Sequence, residues 1–220
     1  MTPSQQRALD ELMPIYGVPG DEALLDLSRL FGRSAPCHLE IGFGAGTALL
    51  QMAAAHPDEN FLGVEVHRPG VGRVLHELHS AGLGNVRVST QDAMEILRTR
   101  VAAASLASVM LYFPDPWHKK RHHKRRIVNA EFAALVARCL MPGGELLLAT
   151  DWEEYAQAMV AVLNLEPGLR NRSATADYVP RPTGRALTRF EQRGVRLGHG
   201  VWDLAYERVS SSSSTPASVE

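Results

Sequence analysis

The chain has 220 residues, 45% of them hydrophobic, and 23 basic against 24 acidic residues leave a formal net charge of −1. That length suits one domain with a sizeable core, and no apolar run approaches the ~20 residues of a membrane span. The N-terminal MTPSQQRALDEL lacks the basic and then apolar segments of a secretory signal, so no leader is read there. In chain order, residues 1–35 are broken by Pro14, Gly17, Pro19 and Gly20 and carry a short helical pattern near 21–31; they read as an N-terminal extension. A regular rhythm follows. Strands are predicted at 37–41, 61–66, 86–90, 106–113 and 145–150, and helices at 47–56, 70–82, 93–102, 125–140 and 152–164. Strands alternating with helices of this length predict a parallel sheet wrapped by helices over 36–209. The tail at 210–220 is rich in serine and reads as disordered.

The first strand runs into Gly42-Phe43-Gly44-Ala45-Gly46 and then a helix. Glycines there let the backbone turn tightly and let a ligand approach the helix N-terminus. The spacing is not the GxGxxG of a dinucleotide site, which argues against a nicotinamide-dependent oxidoreductase. A glycine turn that merely packs strand on helix is the alternative. Four acids accompany the loop: Glu40 before it, Glu65 at the end of the second strand, Asp92 after the third and Asp115 after the fourth. Ligands of parallel sheets bind outside the carboxyl ends of the strands, so all four are expected on one crevice. Asp92 also reads as a helix N-cap. Four carboxylates suit a ligand with a cationic centre, an ammonium, a ribose and an amino-purine, which S-adenosylmethionine combines. The two isolated cysteines, Cys37 and Cys139, exclude a zinc framework of paired CxxC motifs and fit a reducing, cytoplasmic compartment. No metal is expected.

The densest charge lies directly after Pro114-Asp115-Pro116-Trp117. Residues 119–126 hold six Lys or Arg, two His and no acid. The prolines hold Asp115 in extended backbone at the rim of the sheet. Trp117 either packs beneath the aspartate or stacks on a base or ribose. Cations opening a helix work against its dipole, so local stability does not explain the run. A polyanion does, and Lys120, Arg121, Lys124, Arg125 and Arg126 are the candidate phosphate contacts.

The segments LEIGFGAG, GVEVHRPGVGRVL, QDAMEIL, FPDPWHKKRHHKRRIV and TRFEQRGVRLGHGVWDL resemble, in order and spacing, the bacterial tRNA (guanine-N7-)-methyltransferases. The resemblance spans about 39–204 and implies a class I methyltransferase fold, a Rossmann-like, mostly parallel seven-stranded sheet flanked by helices. It implies S-adenosylmethionine as methyl donor and a guanine in the variable loop of tRNA as acceptor, with no obligatory protein partner evident. By motif, Glu40, Gly42, Gly44, Gly46, Glu65, Asp92 and Asp115 would contact the cofactor, and Asp115 is also the expected active-site aspartate. Lys119, Asp151, Thr188, Arg189, Phe190 and Glu191 would contact the substrate. Two positions depart from the family pattern: Arg189 stands where Lys is usual, and Ala186 where Pro is common. A guanidinium does not replace an ammonium at a shaped site. Asp151 and Glu191 are candidates to accept from the guanine N1–H and 2-amino edge, and Asp151 reads equally as an N-cap of the helix that follows.

Overall fold

The computed structural model describes residues 1–20, 24–182, 185, 191 and 200–210. Its strands are β1 (Cys37–Ile41), β2 (Asn60–Val64), β3 (Val86–Ser89), β4 (Leu106–Tyr112), β5 (Leu140–Thr150), β6 (Leu169–Asn171) and β7 (Trp202–Arg208). They form one sheet in the order β3-β2-β1-β4-β5-β7-β6. The pairs from β3 to β5 are parallel, and β7 inserts antiparallel between β5 and β6. The order reverses between β1 and β4, and ligand crevices of such sheets open at that reversal. Leu39 of β1 sits opposite Leu62 on one side and Val109 on the other. All five residues of β2 are buried, as in a strand covered on both faces.

Two hydrophobic clusters follow the alternation of the strands. One holds Leu39, Leu62, Val64, Val109, Leu111 and Leu146 with Phe132 and Val136 of α6 (Ala130–Cys139) and Tyr155 and Met159 of α7 (Glu153–Leu163). The short α2 (Leu27–Phe31) contributes Phe31 to the same cluster. The other holds Phe61, Val86 and Val88 with Leu49 of α3 (Thr47–Ala55), Val71, Val74, Leu75 and Leu78 of α4 (Arg68–Ala81), and Leu9, Leu12 and Tyr16 of α1 (Pro3–Tyr16). The remaining helix, α5 (Ala93–Glu95), continues into a π turn at Ile96–Arg100.

Four local predictions needed correction. The N-terminal stretch forms a full helix, α1, despite Pro14. Thr2 and Gln5 make a reciprocal capping box, with the Thr2 N–H donating to Gln5 Oε1 at 2.8 Å, and Pro3 occupies the first turn. Pro14 falls in the last turn, where burial of Leu9, Leu12 and Tyr16 outweighs a lost donor. The helix expected at 125–140 starts only at Ala130, where the Asn129 side chain accepts from Phe132 N–H at 3.0 Å. The basic run forms its own 3₁₀ segment, Lys120–Arg125. β5 begins at Leu140, five residues early, because Pro142-Gly143-Gly144 forms an irregularity within the strand pairing. The short helical pattern near 21–31 yields α2 alone, and 21–23 lie outside the described residues, as do 211–220 of the serine-rich tail.

Among the described residues, no helix is long and apolar enough to cross a membrane. Both cysteines are buried and unpaired, and burial pushes the Cys37 thiol up to about 12.

Gly72 of α4 lies where α1 crosses it, and a Cβ there would come 2.5 Å from the Gln5 carbonyl oxygen. Helix propensity alone would make Gly72→Ala stabilising by roughly 0.5–1 kcal/mol. Overpacking against a backbone atom that cannot rotate costs roughly 1–3 kcal/mol, so the clash decides the sign. Urea unfolding should show Gly72→Ala less stable than wild type by about 1–2 kcal/mol.

Candidate active site at the carboxyl ends of the strands

Beyond β1, Gly42 and Gly44 adopt positive φ values of 70° and 53°. A Cβ at Gly42 would meet no atom within 4 Å, and one at Gly44 would meet nothing closer than 4.0 Å, so this turn presents bare backbone to open space. Gly46, expected on the cofactor, does something else. Its φ is 75°, it is the N-cap of α3, and a Cβ there would collide with Val74 of α4. Gly46 therefore lets α3 and α4 pack and is absent from the cavities on either side of the turn.

Glu65 staples this turn in place. Its Oε2 accepts from Gly44 N–H and its Oε1 from His67 N–H, both at 2.8 Å. The glycine turn, the end of β2 and the start of α4 are thus held by one carboxylate. His67, for which the sequence offered no role, is the backbone half of that link and the N-cap of α4.

The predicted acids do not share one crevice but line two adjoining ones. A cleft of about 530 Å³ is lined by Glu65, Asp92, Asp115, Trp117 and Arg125. A cavity of about 430 Å³ on the other side is lined by Glu40, Gln5, Thr47, His67 and Arg73. Gly42, Gly44, Tyr112 and Phe113 line both and form the divide. Asp92 does cap a helix: its Oδ1 accepts from Met94 and Glu95 N–H at 2.9 and 3.1 Å. The same residue lines the cleft, so the two readings of Asp92 coexist.

Glu40 is 4% exposed, and its Oε2 is buried without a hydrogen-bond partner among the described residues. Burial, and secondarily the nearby Glu65 carboxylate, push its pKa up to about 8. An orphaned carboxyl beside a cavity is a group prepared for a cationic or hydrogen-bonding ligand.

Asp115 projects from a turn whose two ends are left-handed at non-glycine residues, Phe113 (φ 53°) and Trp117 (φ 48°). Such conformations cost roughly 1–3 kcal/mol each and persist only when the surroundings hold them. Phe113 N–H donates to Ala149 O at 2.7 Å, tying the turn to β5. Arg126 Nε donates to Pro116 O at 2.9 Å, and its two Nη atoms donate to Glu154 of α7 at 3.0 and 2.5 Å. The same guanidinium lies 4.6 Å over the Tyr155 ring. Arg126 is 7% exposed, so it is no phosphate contact but the clamp of this turn. The rest of the basic run fits its expectation of exposure: Lys119, Lys120, Arg121, Lys124 and Arg125 are all exposed. Trp117 is half-buried, with the Arg125 guanidinium 5.0 Å over its ring.

Of the expected substrate contacts, Thr188, Arg189 and Phe190 lie outside the described residues, as do Ala186 and His199. Asp151 is not the N-cap of α7, a position held by Trp152. Asp151 is half-buried and has no hydrogen-bond or ion-pair partner among the described residues. Glu191 is the opposite case. It is buried, Arg185 donates to both its oxygens at 2.8 Å, and Arg181 lies 3.1 Å from Oε1. Arg185 Nε also pairs with Asp203 Oδ1 of β7 at 2.6 Å, and its guanidinium sits 5.6 Å over Phe113. The Glu191 carboxylate thus serves a buried ion cluster behind the Asp115 turn and is not set out for a guanine edge. From the sequence Arg185 reads as one of an Arg-rich second half that could grip RNA; its buried role depends on partners 6 and 18 residues away, beyond any local pattern. Among the described residues no group of three or more His, Cys, Asp or Glu could hold a metal ion.

The family model described as "Putative methyltransferase" matches residues 34–204. Curated proteins named tRNA (guanine-N(7)-)-methyltransferase match nearly the full length. Those of Pseudomonas putida and Pseudomonas aeruginosa are each 57% identical over 95% of this chain and cover 87% and 86% of their own lengths. That of Hydrogenovibrio crunogenus is 53% identical over 95% of this chain and 87% of its own length. Among solved structures, the 16S rRNA methyltransferase KamB aligns with a TM-score of 0.65 at 14% identity, covering 89% of this chain and 99% of its own. The aminoglycoside resistance methyltransferase NpmB1 aligns with a TM-score of 0.56 at 17% identity, covering 84% and 94%. At those identities the likeness is one of fold: a class I methyltransferase.

The raised pKa of Glu40 has a consequence for stability. Between about 4.5 and about 8 the folded protein holds a proton on Glu40 that the unfolded chain has released. The contribution of this residue to stability therefore falls as pH rises through that window. Urea unfolding at several pH values should show Glu40→Gln gaining on wild type as pH rises from 5 to about 8 and levelling off above it. A constant difference across that range would mean that Glu40 is ordinary.

Proposed function

The chain belongs to the tRNA (guanine-N7-)-methyltransferase family, and from that membership we propose how its residues carry the reaction. It is an S-adenosylmethionine-dependent methyltransferase that forms 7-methylguanosine in tRNA. We place the acceptor guanine in the variable loop. One juxtaposition supports the reading most strongly: a carboxylate-lined cleft opens directly beside an exposed basic segment, with Asp115 between them.

The residues present fit the cofactor. Glu40 offers a buried carboxyl whose Oε2 has no hydrogen-bond partner among the described residues, suited to an ammonium or a sulfonium field. Glu65, at the end of β2, has lone pairs left for ribose hydroxyls after its two backbone contacts. Asp92 stands farther along the same cleft with one oxygen engaged in capping. When bound, S-adenosylmethionine supplies an electrophilic methyl group on a sulfonium. Guanine N7 has an in-plane lone pair and no proton to lose, so the chain needs no general base. Its task is to hold two reactants in line and to tolerate positive charge gathering on the purine. Asp115, exposed at the rim of the cleft on a turn braced at both ends, is the carboxylate placed for that charge. Asp151, at the adjacent strand end and without a partner among the described residues, is the acid we assign to the N1–H and 2-amino edge of guanine. Adenine would leave that carboxylate without donors, which is how the site would discriminate. Lys119, Lys120, Arg121, Lys124 and Arg125 would hold phosphates of the RNA and orient it without reading sequence.

Two measurements test this reading. Labelled S-adenosylmethionine and unmodified tRNA, followed by nucleoside analysis, should give 7-methylguanosine with wild type. With Asp115→Ala the rate should drop about 10²–10³-fold, the scale of one lost electrostatic contact in a site of this kind. Transfer that Asp115→Ala leaves intact would remove the aspartate from the mechanism. If about four of the five exposed cations meet phosphates, log affinity for tRNA should fall with log salt at a slope of roughly −3 to −4. Arg125→Ala should lower the magnitude of that slope by about 1, whereas Arg126→Ala should instead lower the unfolding stability by roughly 1–3 kcal/mol.

A further inference from the structure

Trp152 is 36% exposed and stands at the carboxyl end of β5. Tryptophan is buried on average, so an exposed one directly after Asp151 at the carboxyl end of a parallel strand asks for a reason. Helix capping is not the reason. Trp152 is the N-cap of α7, but its side chain makes no capping bond, where Ser, Thr, Asp or Asn would. Its backbone is fixed from below, the Trp152 N–H donating to Thr150 Oγ1 at 3.2 Å. A second aromatic ring meets it: His118, from the exposed loop after Trp117, lies 4.2 Å away between ring centroids at 66°. Two exposed aromatic rings, one three residues after Asp115 and one directly after Asp151, thus meet, and Asp151 has no partner among the described residues.

The positions of these loops are linked. Tyr112 of β4 lies opposite Ala149 of β5, so Asp115 and Asp151 emerge from neighbouring strand ends. The clamp of Arg126 on Pro116 O and Glu154 joins the Asp115 turn to the first turn of α7, two residues after Trp152. Any shift of one loop would carry the other.

We propose that Trp152, buttressed by His118, is the platform on which the target guanine stacks, with its hydrogen-bonding edge toward Asp151. This rests on the guanine-N7 methylation reading above. Aromatic side chains bind unpaired bases by stacking whatever their sequence, and the hydrogen-bonding edge then supplies identity. An indole fixes the plane of the purine. A fixed plane is what an in-plane lone pair needs to meet a methyl group in line. The exposed cations of the basic segment hold the phosphates on the His118 side of the same surface.

The test compares wild type, Trp152→Ala and Trp152→Phe in methyl transfer to unmodified tRNA, with S-adenosylmethionine affinity measured separately by calorimetry. Loss of one stacked base predicts a fall in kcat/KM of about 10- to 100-fold for the alanine variant. The phenylalanine variant should recover most of it, with cofactor affinity unchanged in both. Unaltered kcat/KM in Trp152→Ala, or a parallel loss of cofactor affinity, would overturn the proposal. A second comparison identifies the base. Binding is measured to tRNA carrying 7-deazaguanosine at the target position, which keeps the ring and the edge but lacks N7, and to tRNA abasic there. Trp152→Ala should weaken binding of the first and leave the second unchanged. Equal weakening of both would mean that a flanking base occupies the platform and would overturn the assignment. Should wild type itself form no 7-methylguanosine, the functional reading would fail first and the platform with it. An active wild type matched by an equally active Trp152→Ala would sink the platform alone.

Discussion

The working face of this protein hangs on one buried guanidinium. The turn that carries Asp115 has two non-glycine residues in left-handed conformations, which an isolated chain would not hold. Arg126 supplies the restraint. It takes the Pro116 carbonyl with Nε, the Glu154 carboxylate with both Nη atoms and the Tyr155 face with its π surface. A lysine could meet one of these partners but not all three, because only the planar fork offers two parallel donors and a third at an angle. The arginine thereby converts a strained loop into a fixed projection from the sheet and ties it to α7.

A second restraint acts on the other wall of the cleft. Glu65 holds Gly44 and His67 through two backbone donors and so couples the glycine turn to the start of α4. Between the two restraints lie Tyr112 and Phe113, which separate the cleft from the cavity beside Glu40. The buried cluster of Arg185, Glu191 and Asp203 backs Phe113 from the β7 side. Each support is a charged group held by a partner of opposite charge or by backbone donors, which offsets much of the cost of removing it from water. Glu40 has neither among the described residues. Its Oε2 is buried with no hydrogen-bond partner among them, and burial has raised its pKa. A buried carboxyl oxygen left unsatisfied beside a cavity marks where a ligand group belongs.

The basic run shows how one stretch of sequence can hold two jobs. Five of its six Lys and Arg residues face solvent, while the last turns inward. The break between the 3₁₀ segment and α6 makes this possible. Had the helix begun at Arg125, as its apolar periodicity proposed, cations would have opened a long helix against its dipole. The extended backbone at Arg126 instead directs its side chain under the Asp115 turn.

Much of this was legible from the residues alone. Alternating apolar runs and helical periods placed five parallel strands, because both patterns are local and repeat every few residues. The glycine turn, the strand-end acids, the proline-bracketed Asp115 and the solvated cations are local too. What only the tertiary structure decided are pairings across long sequence gaps. Local pattern could not tell Arg126 from Arg125, since the difference lies in Glu154, 28 residues away. It could not tell Glu191 from Asp151, since the first is claimed by Arg185 and the second by nothing among the described residues. Nor could it separate Gly46 from Gly42 and Gly44, because the neighbour that Gly46 must clear, Val74, belongs to the next helix. Residue type and spacing determine which chemistry a chain has to offer; burial and distant partners decide which of those groups remain free to use it.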